Sequence, residues 1–175
     1  MSRQWIMRGL LAAILLQGGV LATVHLNSVY PLWTGQELRL KTIPVDPRSM
    51  FRGNYAQLNY EISSINVPHE TDIAAPRWGE VVYVKLKLNE NGLYTFDSAS
   101  FSEPESGLYI RGRIQAPALN NTQPYRVRYG IEAYFAPKEK ALELEKQLRD
   151  GGIAVVYLAK DGKAALKSVI GKAKE

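Results

Sequence analysis

The chain contains no cysteine and only two histidines, His25 and His69. Disulfides and thiolate metal sites are therefore excluded, and either side of a membrane stays open as a location. Charge of one sign is also scarce. The formal net charge is +5 at pH 7; setting aside Arg3 and Arg8 near the N-terminus leaves 20 basic against 17 acidic residues, a net +3. That excess is too small for the basic footprint of a nucleic-acid-binding domain. No glycine-rich phosphate loop precedes a helix, so nucleotide binding has no support. Internal repeats and low-complexity tracts are absent as well. What is present, 175 residues with 46% hydrophobic and 10% aromatic content, suits one folded domain plus an anchor.

Arg3 and Arg8 precede Leu10 to Leu26, a run without a charged residue. Its length is close to the ~17 residues needed to cross a bilayer. A secretory signal peptide and a single spanning helix both begin this way, and Val20-Leu21-Ala22 offers a small-residue cleavage site. The length of the run favours an uncleaved transmembrane anchor. No basic residue follows until Arg39, so the positive-inside rule places the bulk of the chain outside the cytoplasm. This divides the chain into a cytoplasmic tip and anchor (1–28), a juxtamembrane linker (29–36) with Tyr30 and Trp33 at the interface, and an extracytoplasmic β-rich domain (37–175).

The densest local signal runs from Asp46 to Ile62, DPRSMFRGNYAQLNYEI. Asp46 and Pro47 set a turn, and Arg52-Gly53-Asn54 a second one, where glycine takes positive φ at little cost. A strand is expected from Tyr55, with Ala56, Leu58, Tyr60 and Ile62 facing a core. Tyr55 has the wrong parity for that core. Arg48, Phe51, Arg52 and Tyr55 are thus the residues expected at the surface.

The rest of the chain reads mostly as strands. Leu38, Leu40 and Thr42 alternate with Arg39, Lys41 and Ile43; Val82, Val84, Leu86 and Leu88 alternate with Tyr83, Lys85 and Lys87. Asn91-Gly92 and Asp161-Gly162 mark hairpins. Leu108, Ile110 and Ile114 are expected inward on one strand; Tyr125, Val127, Tyr129, Ile131, Ala133 and Phe135 are expected inward on a single strand from 125 to 135. The outward sides carry Arg111 and Arg113 on one strand and Arg126 and Arg128 on the other. Residues 63–79 read as a long loop, and Pro137 to Asp150 as the one late helix, closed by Gly151-Gly152, with Ala141, Leu144 and Leu148 inward. The fold class is mainly β (a β-rich α+β fold): an antiparallel sheet or partly open barrel with one late helix, preceded by the transmembrane helix.

Gly53, Asn54, Tyr55, Leu58 and Tyr60 resemble the signature of the bacterial GDYXXLXY family, with Asn54 where the family name has Asp. Asp46-Pro47-Arg48, Phe51-Arg52, Ile110-Arg111-Gly112-Arg113, Tyr129-Gly130-Ile131-Glu132, Tyr134-Phe135, Pro137 and Asp161 to Leu166 fit the same resemblance. The resemblance implies a membrane-anchored protein of unknown function, often encoded beside a multi-pass membrane protein, and brings no catalytic residues.

Few residues point to chemistry. His69, Glu70 and Asp72 are the one cluster with ligand-like atoms and read as solvated loop residues; no metal or cofactor is expected. Carboxylate pairs such as Asp46 with Glu61, or Glu103 with Glu105, could do acid and base work, but Asp46 reads as a turn cap and Glu61 as a polar strand residue. Ser49-Met50 after an anchor loosely resembles the nucleophile region of type I signal peptidases, with Lys85 as base, but the proline expected after that pair is missing. The sequence reading is therefore an inner-membrane accessory protein rather than an enzyme, with the bilayer and a membrane protein as partners and Asp46 to Tyr60 as the docking motif. The alternative is an anionic ligand- or lipid-headgroup-binding module using Arg111, Arg113, Arg126 and Arg128, where charge stripes on half-exposed sheets are otherwise ordinary.

Overall fold

The computed structural model describes residues 3–44, 55–65, 77–116, 124–135, 137, 144, 147–148 and 151–171. Asp46 to Asn54, with Ser49 among them, and His69, Glu70 and Asp72 lie outside those residues.

The chain opens with helix α1 (Arg3–Thr34). Within Gln4–Thr34 the most apolar 18-residue window has a mean hydropathy of 1.8, and 0% of that window is buried against the protein. By length and composition it is able to cross a membrane. Trp5 and Trp33 are 68% and 71% exposed. Along an ideal helix they stand about 42 Å apart, which matches the ~40–45 Å thickness of a bilayer with its headgroup regions included. The helix continues through residues 29–34, the segment read as a linker, and carries Pro31 inside it. A proline there denies the Asn27 carbonyl, four residues back, its usual N–H. The ammonium of Lys163 replaces it, donating to the Asn27 carbonyl and, at 2.8 Å, to Asn27 Oδ1.

Eleven strands follow among the described residues: β1 (Gln36–Ile43), β2 (Tyr55–Gln57), β3 (Asn59–Tyr60), β4 (Ser64–Ile65), β5 (Val81–Leu88), β6 (Tyr94–Ser100), β7 (Tyr109–Ala116), β8 (Tyr125–Arg128), β9 (Ala133–Phe135), β10 (Gly152–Leu158) and β11 (Ala164–Gly171). The main sheet runs β11-β10-β1-β6-β5-β7-β8-β4, with β3 also on β1, while β2 and β9 form a separate pair. Pairing is antiparallel except where β1 meets β6 at Leu40 and Tyr94. Residues 59–65 pair with β1 at one end and β8 at the other. The 3-10 turn Glu61–Ser63 between those ends leaves the curled sheet open. Register shifts near Lys85, Ile114 and Val155 are bulges of the kind that increase twist. The architecture is therefore strand-rich, mixed and open, with an N-terminal helix.

Burial follows the alternation in β1, where Leu38, Leu40 and Thr42 are buried, and in β5, where Val82, Val84 and Leu86 are. Each such apolar side chain contributes about 1.5–3 kcal/mol relative to exposure. Three details differ from the sequence reading. Leu88 is 59% exposed at the end of its strand. The segment from Tyr55 to Ile65 keeps Ala56, Leu58, Tyr60 and Ile62 buried but has three partners in succession, so it is three short strands and a turn. The 125–135 stretch breaks at Gly130 (φ +85°), and the parity then flips. Tyr134 packs against the core while Ala133 and Phe135 face out. Of the late helix, Leu144, Gln147 and Leu148 are described and helical, with both leucines buried; Ala141 lies outside the described residues.

Candidate functional site

The motif strand and the Tyr129-Gly130-Ile131-Glu132 segment are bound to each other. The Tyr60 hydroxyl donates to the Ile131 carbonyl at 2.5 Å, and the Tyr129 hydroxyl donates to the Ile62 carbonyl at 2.5 Å. Between them the Leu58 amide donates to the Glu132 carbonyl at 2.8 Å. The Glu132 carboxylate folds back on its own turn, accepting from the Tyr129 amide at 2.5 Å and the Gly130 amide at 3.0 Å. Gly112 completes the packing: a Cβ there would lie 2.2 Å from Val127 Cγ1 and 3.0 Å from the Tyr129 ring. Leu58 and Tyr60 are thus core residues of a two-tyrosine latch. Tyr55 enters through its backbone, paired with Phe135. The sequence signal for the latch was a buried tyrosine in each of two segments, but their reciprocity was not visible.

Burial, and secondarily the charge of Glu132, pushes both latch phenols well above the usual tyrosine range. Tyr109 behaves similarly for a different reason. Its hydroxyl donates to Glu103 Oε1 at 2.6 Å, close to the Lys160 carbonyl at 3.1 Å. That hydrogen bond, then burial, moves its pKa up to about 12. Although Tyr109 points outward from β7, it is only 8% exposed, because the Asp161-Gly162 hairpin tip lies over it. Each of these groups holds its proton more tightly in the folded state than at the unfolded value of ~10. Their contribution is complete below that pH and is lost as pH rises toward 12 and beyond. In an absorbance titration of the ten tyrosines, Tyr60 and Tyr129 should ionise only in a late step that coincides with loss of circular dichroism. A smooth titration of all ten with the dichroism intact would contradict the latch.

The four arginines share one outer surface and all are exposed. Arg113 lies directly across from Arg128, and Arg126 across from Ala116. Like charges in directly opposed positions destabilise a sheet unless something neutralises them. Arg128 Nε lies 3.6 Å from Glu132, whose oxygens already serve two amides. Arg113 donates to the Gly79 carbonyl at 2.9 Å. Neither Arg111 nor Arg126 meets a carboxylate among the described residues. Lys85, half-buried, lies between Ser98 and Tyr109 in the register. Among the described residues no three His, Cys, Asp or Glu side chains converge as a metal site would require.

These features define a class: a strand-rich domain, fastened to an apolar helix long enough to span a membrane, whose signature tyrosines hold the sheet together. The chain belongs to the GDYXXLXY family, whose model matches residues 17–169. No curated protein and no solved structure matches the chain.

Proposed function

We propose that this protein is a single-span accessory subunit of the bacterial inner membrane, with its β domain outside the cytoplasm, docking a multi-pass membrane protein. The observation that carries the reading is the junction between anchor and sheet. An apolar helix with its surface exposed continues to Thr34 without a loose linker, and the Lys163 ammonium fastens it to the β10–β11 hairpin. The height of the domain above the bilayer is thereby set by the fold. Orientation follows from Arg3 and Arg8 ahead of the apolar run. The latch commits Leu58 and Tyr60 to the core. The docking role then falls to Asp46, Pro47, Arg48, Phe51, Arg52, Gly53, Asn54 and Tyr55, a set with the aromatic and arginine residues that binding sites favour.

The test is a mild-detergent pull-down of the full chain from native membranes, with Arg52→Ala and Tyr55→Ala alongside. A stoichiometric membrane protein should copurify with the wild type and be lost from both variants while their circular dichroism is unchanged. A partnerless wild type, or variants that unfold, would remove the docking role. The opposed Arg113 and Arg128 favour a second reading, in which the arginine face binds an anionic ligand.

A further inference from the structure

We propose that Lys160 and Lys163 at the β10–β11 tip, with Arg111, Arg113, Arg126 and Arg128 beyond them, form a rim that binds anionic phospholipid headgroups at the foot of the anchor. This deepens the anion-binding reading and rests on the helix being a membrane anchor.

Two contacts place the rim. The apolar run of α1 stops at Leu26, and the next residue, Asn27, accepts from the Lys163 ammonium through both its backbone and side-chain oxygens. Headgroups begin where the apolar run ends. The hairpin tip therefore sits at headgroup level, with Lys160 exposed three residues away. On the other side of the tip, the Gly162 carbonyl accepts from the Arg111 amide at 2.7 Å. The outward stripe of β7 thus starts at the tip, continues to Arg113 and crosses to Arg128 and Arg126 on β8.

The carboxylates touching this region are already engaged. Glu103 accepts from the Tyr109 hydroxyl, Asp161 accepts from the Lys163 amide at 3.2 Å, and Glu132 serves the Tyr129 and Gly130 amides. Hydrogen bonds from neutral donors leave these three carboxylates charged. Six cations, Lys160, Lys163 and the four arginines, stand against them, and among the described residues Arg128 is the one that lies close to a carboxylate, 3.6 Å from Glu132. The surface therefore keeps a net positive charge. A bilayer carrying anionic lipid supplies many phosphates at the level the anchor dictates. Each basic residue near such a surface strengthens the attraction roughly fivefold. An acidic protein would have to reach the same place past the headgroups.

The full chain, released in mild detergent, would be titrated with phosphatidylglycerol or with phosphatidylcholine of the same acyl chains, and bound lipid counted by native mass spectrometry. Phosphatidylglycerol should be retained in preference by roughly tenfold or more, and the preference should shrink as salt rises. Arg111→Gln with Arg113→Gln, and separately Lys160→Gln, should each reduce it by roughly fivefold per residue with circular dichroism unchanged. Equal retention of the two lipids, or a preference that survives in both variants or in high salt, would overturn the proposal. If inorganic phosphate displaces the lipid completely, the ligand is a soluble anion: the lipid assignment fails while the anion-binding reading stands. Release of the chain from native membranes by a carbonate wash would instead remove the anchor on which the rim depends.

Discussion

Replacing Tyr60 with alanine should lower the stability of the domain by about 3–5 kcal/mol, the range for deleting a buried aromatic ring. The ring is fully buried, and its removal also leaves the Ile131 carbonyl without the donor it now has at 2.5 Å. Tyr60→Phe separates these effects. It keeps the ring and costs only the orphaned buried acceptor, about 1–3 kcal/mol. Tyr129→Phe should cost a similar amount through the Ile62 carbonyl. The two bonds clamp the same pair of segments, so the losses should not add. Once one bond is gone the segments relax, and the second removal costs less, a coupling of about 0.5–3 kcal/mol for groups in one network. Denaturant unfolding of the four proteins in a double-mutant cycle measures this directly. Two phenylalanine variants as stable as the wild type would show the hydroxyls to be incidental.

The latch also shows what was legible in the sequence. Period-two burial identified Leu38, Leu40, Val82 and Val84 because each lies in a strand that keeps one set of neighbours throughout. The same rule found Ala56, Leu58, Tyr60 and Ile62, since it reads which face is buried. It does not read which strand supplies the hydrogen bonds. The chain there passes from β9 to β1 to β8 while keeping its buried face, and no local pattern encodes such a change of partner. Phe135 was misplaced because Gly130 resets the parity, and a glycine within an alternating run signals a break only when its φ is known. Tyr109 shares the parity of the outward Arg111 and Arg113, yet it is covered by a hairpin some fifty residues on: its hydroxyl and the Lys160 carbonyl are 51 positions apart. The arginine stripes were plain in the sequence, but their direct opposition depends on the β7–β8 register. The carboxylate of Glu132, next to Arg128, is mainly a turn acceptor.

The anchor joint carries the other large expectation. Gly35→Ala should disrupt it, because a Cβ there would stand 2.3 Å from the Pro31 carbonyl oxygen and 2.9 Å from the Leu158 amide nitrogen. Both are backbone atoms, so no side chain can swing aside to relieve the clash. Overpacking of this kind costs about 1–3 kcal/mol where the surroundings yield, and here the compliant element is the junction itself. Helix and hairpin should separate, breaking the Lys163 contacts to Asn27. The proline makes that contact matter, since residue 31 offers the Asn27 carbonyl no N–H. The donor lies 136 positions away, so no local pattern shows that the helix runs on through Pro31. Because the chain has no cysteine of its own, Ser28→Cys and Lys160→Cys introduce the only two thiols for spin labels. Their distance distribution should be narrow in the otherwise wild-type chain and broad with Gly35→Ala added, while Lys163→Met, which removes the donor without a clash, should broaden it less. A narrow distribution in all three would mean that packing around Pro31 alone holds the domain on its anchor. The height of the domain above the membrane would then not depend on the hairpin tip.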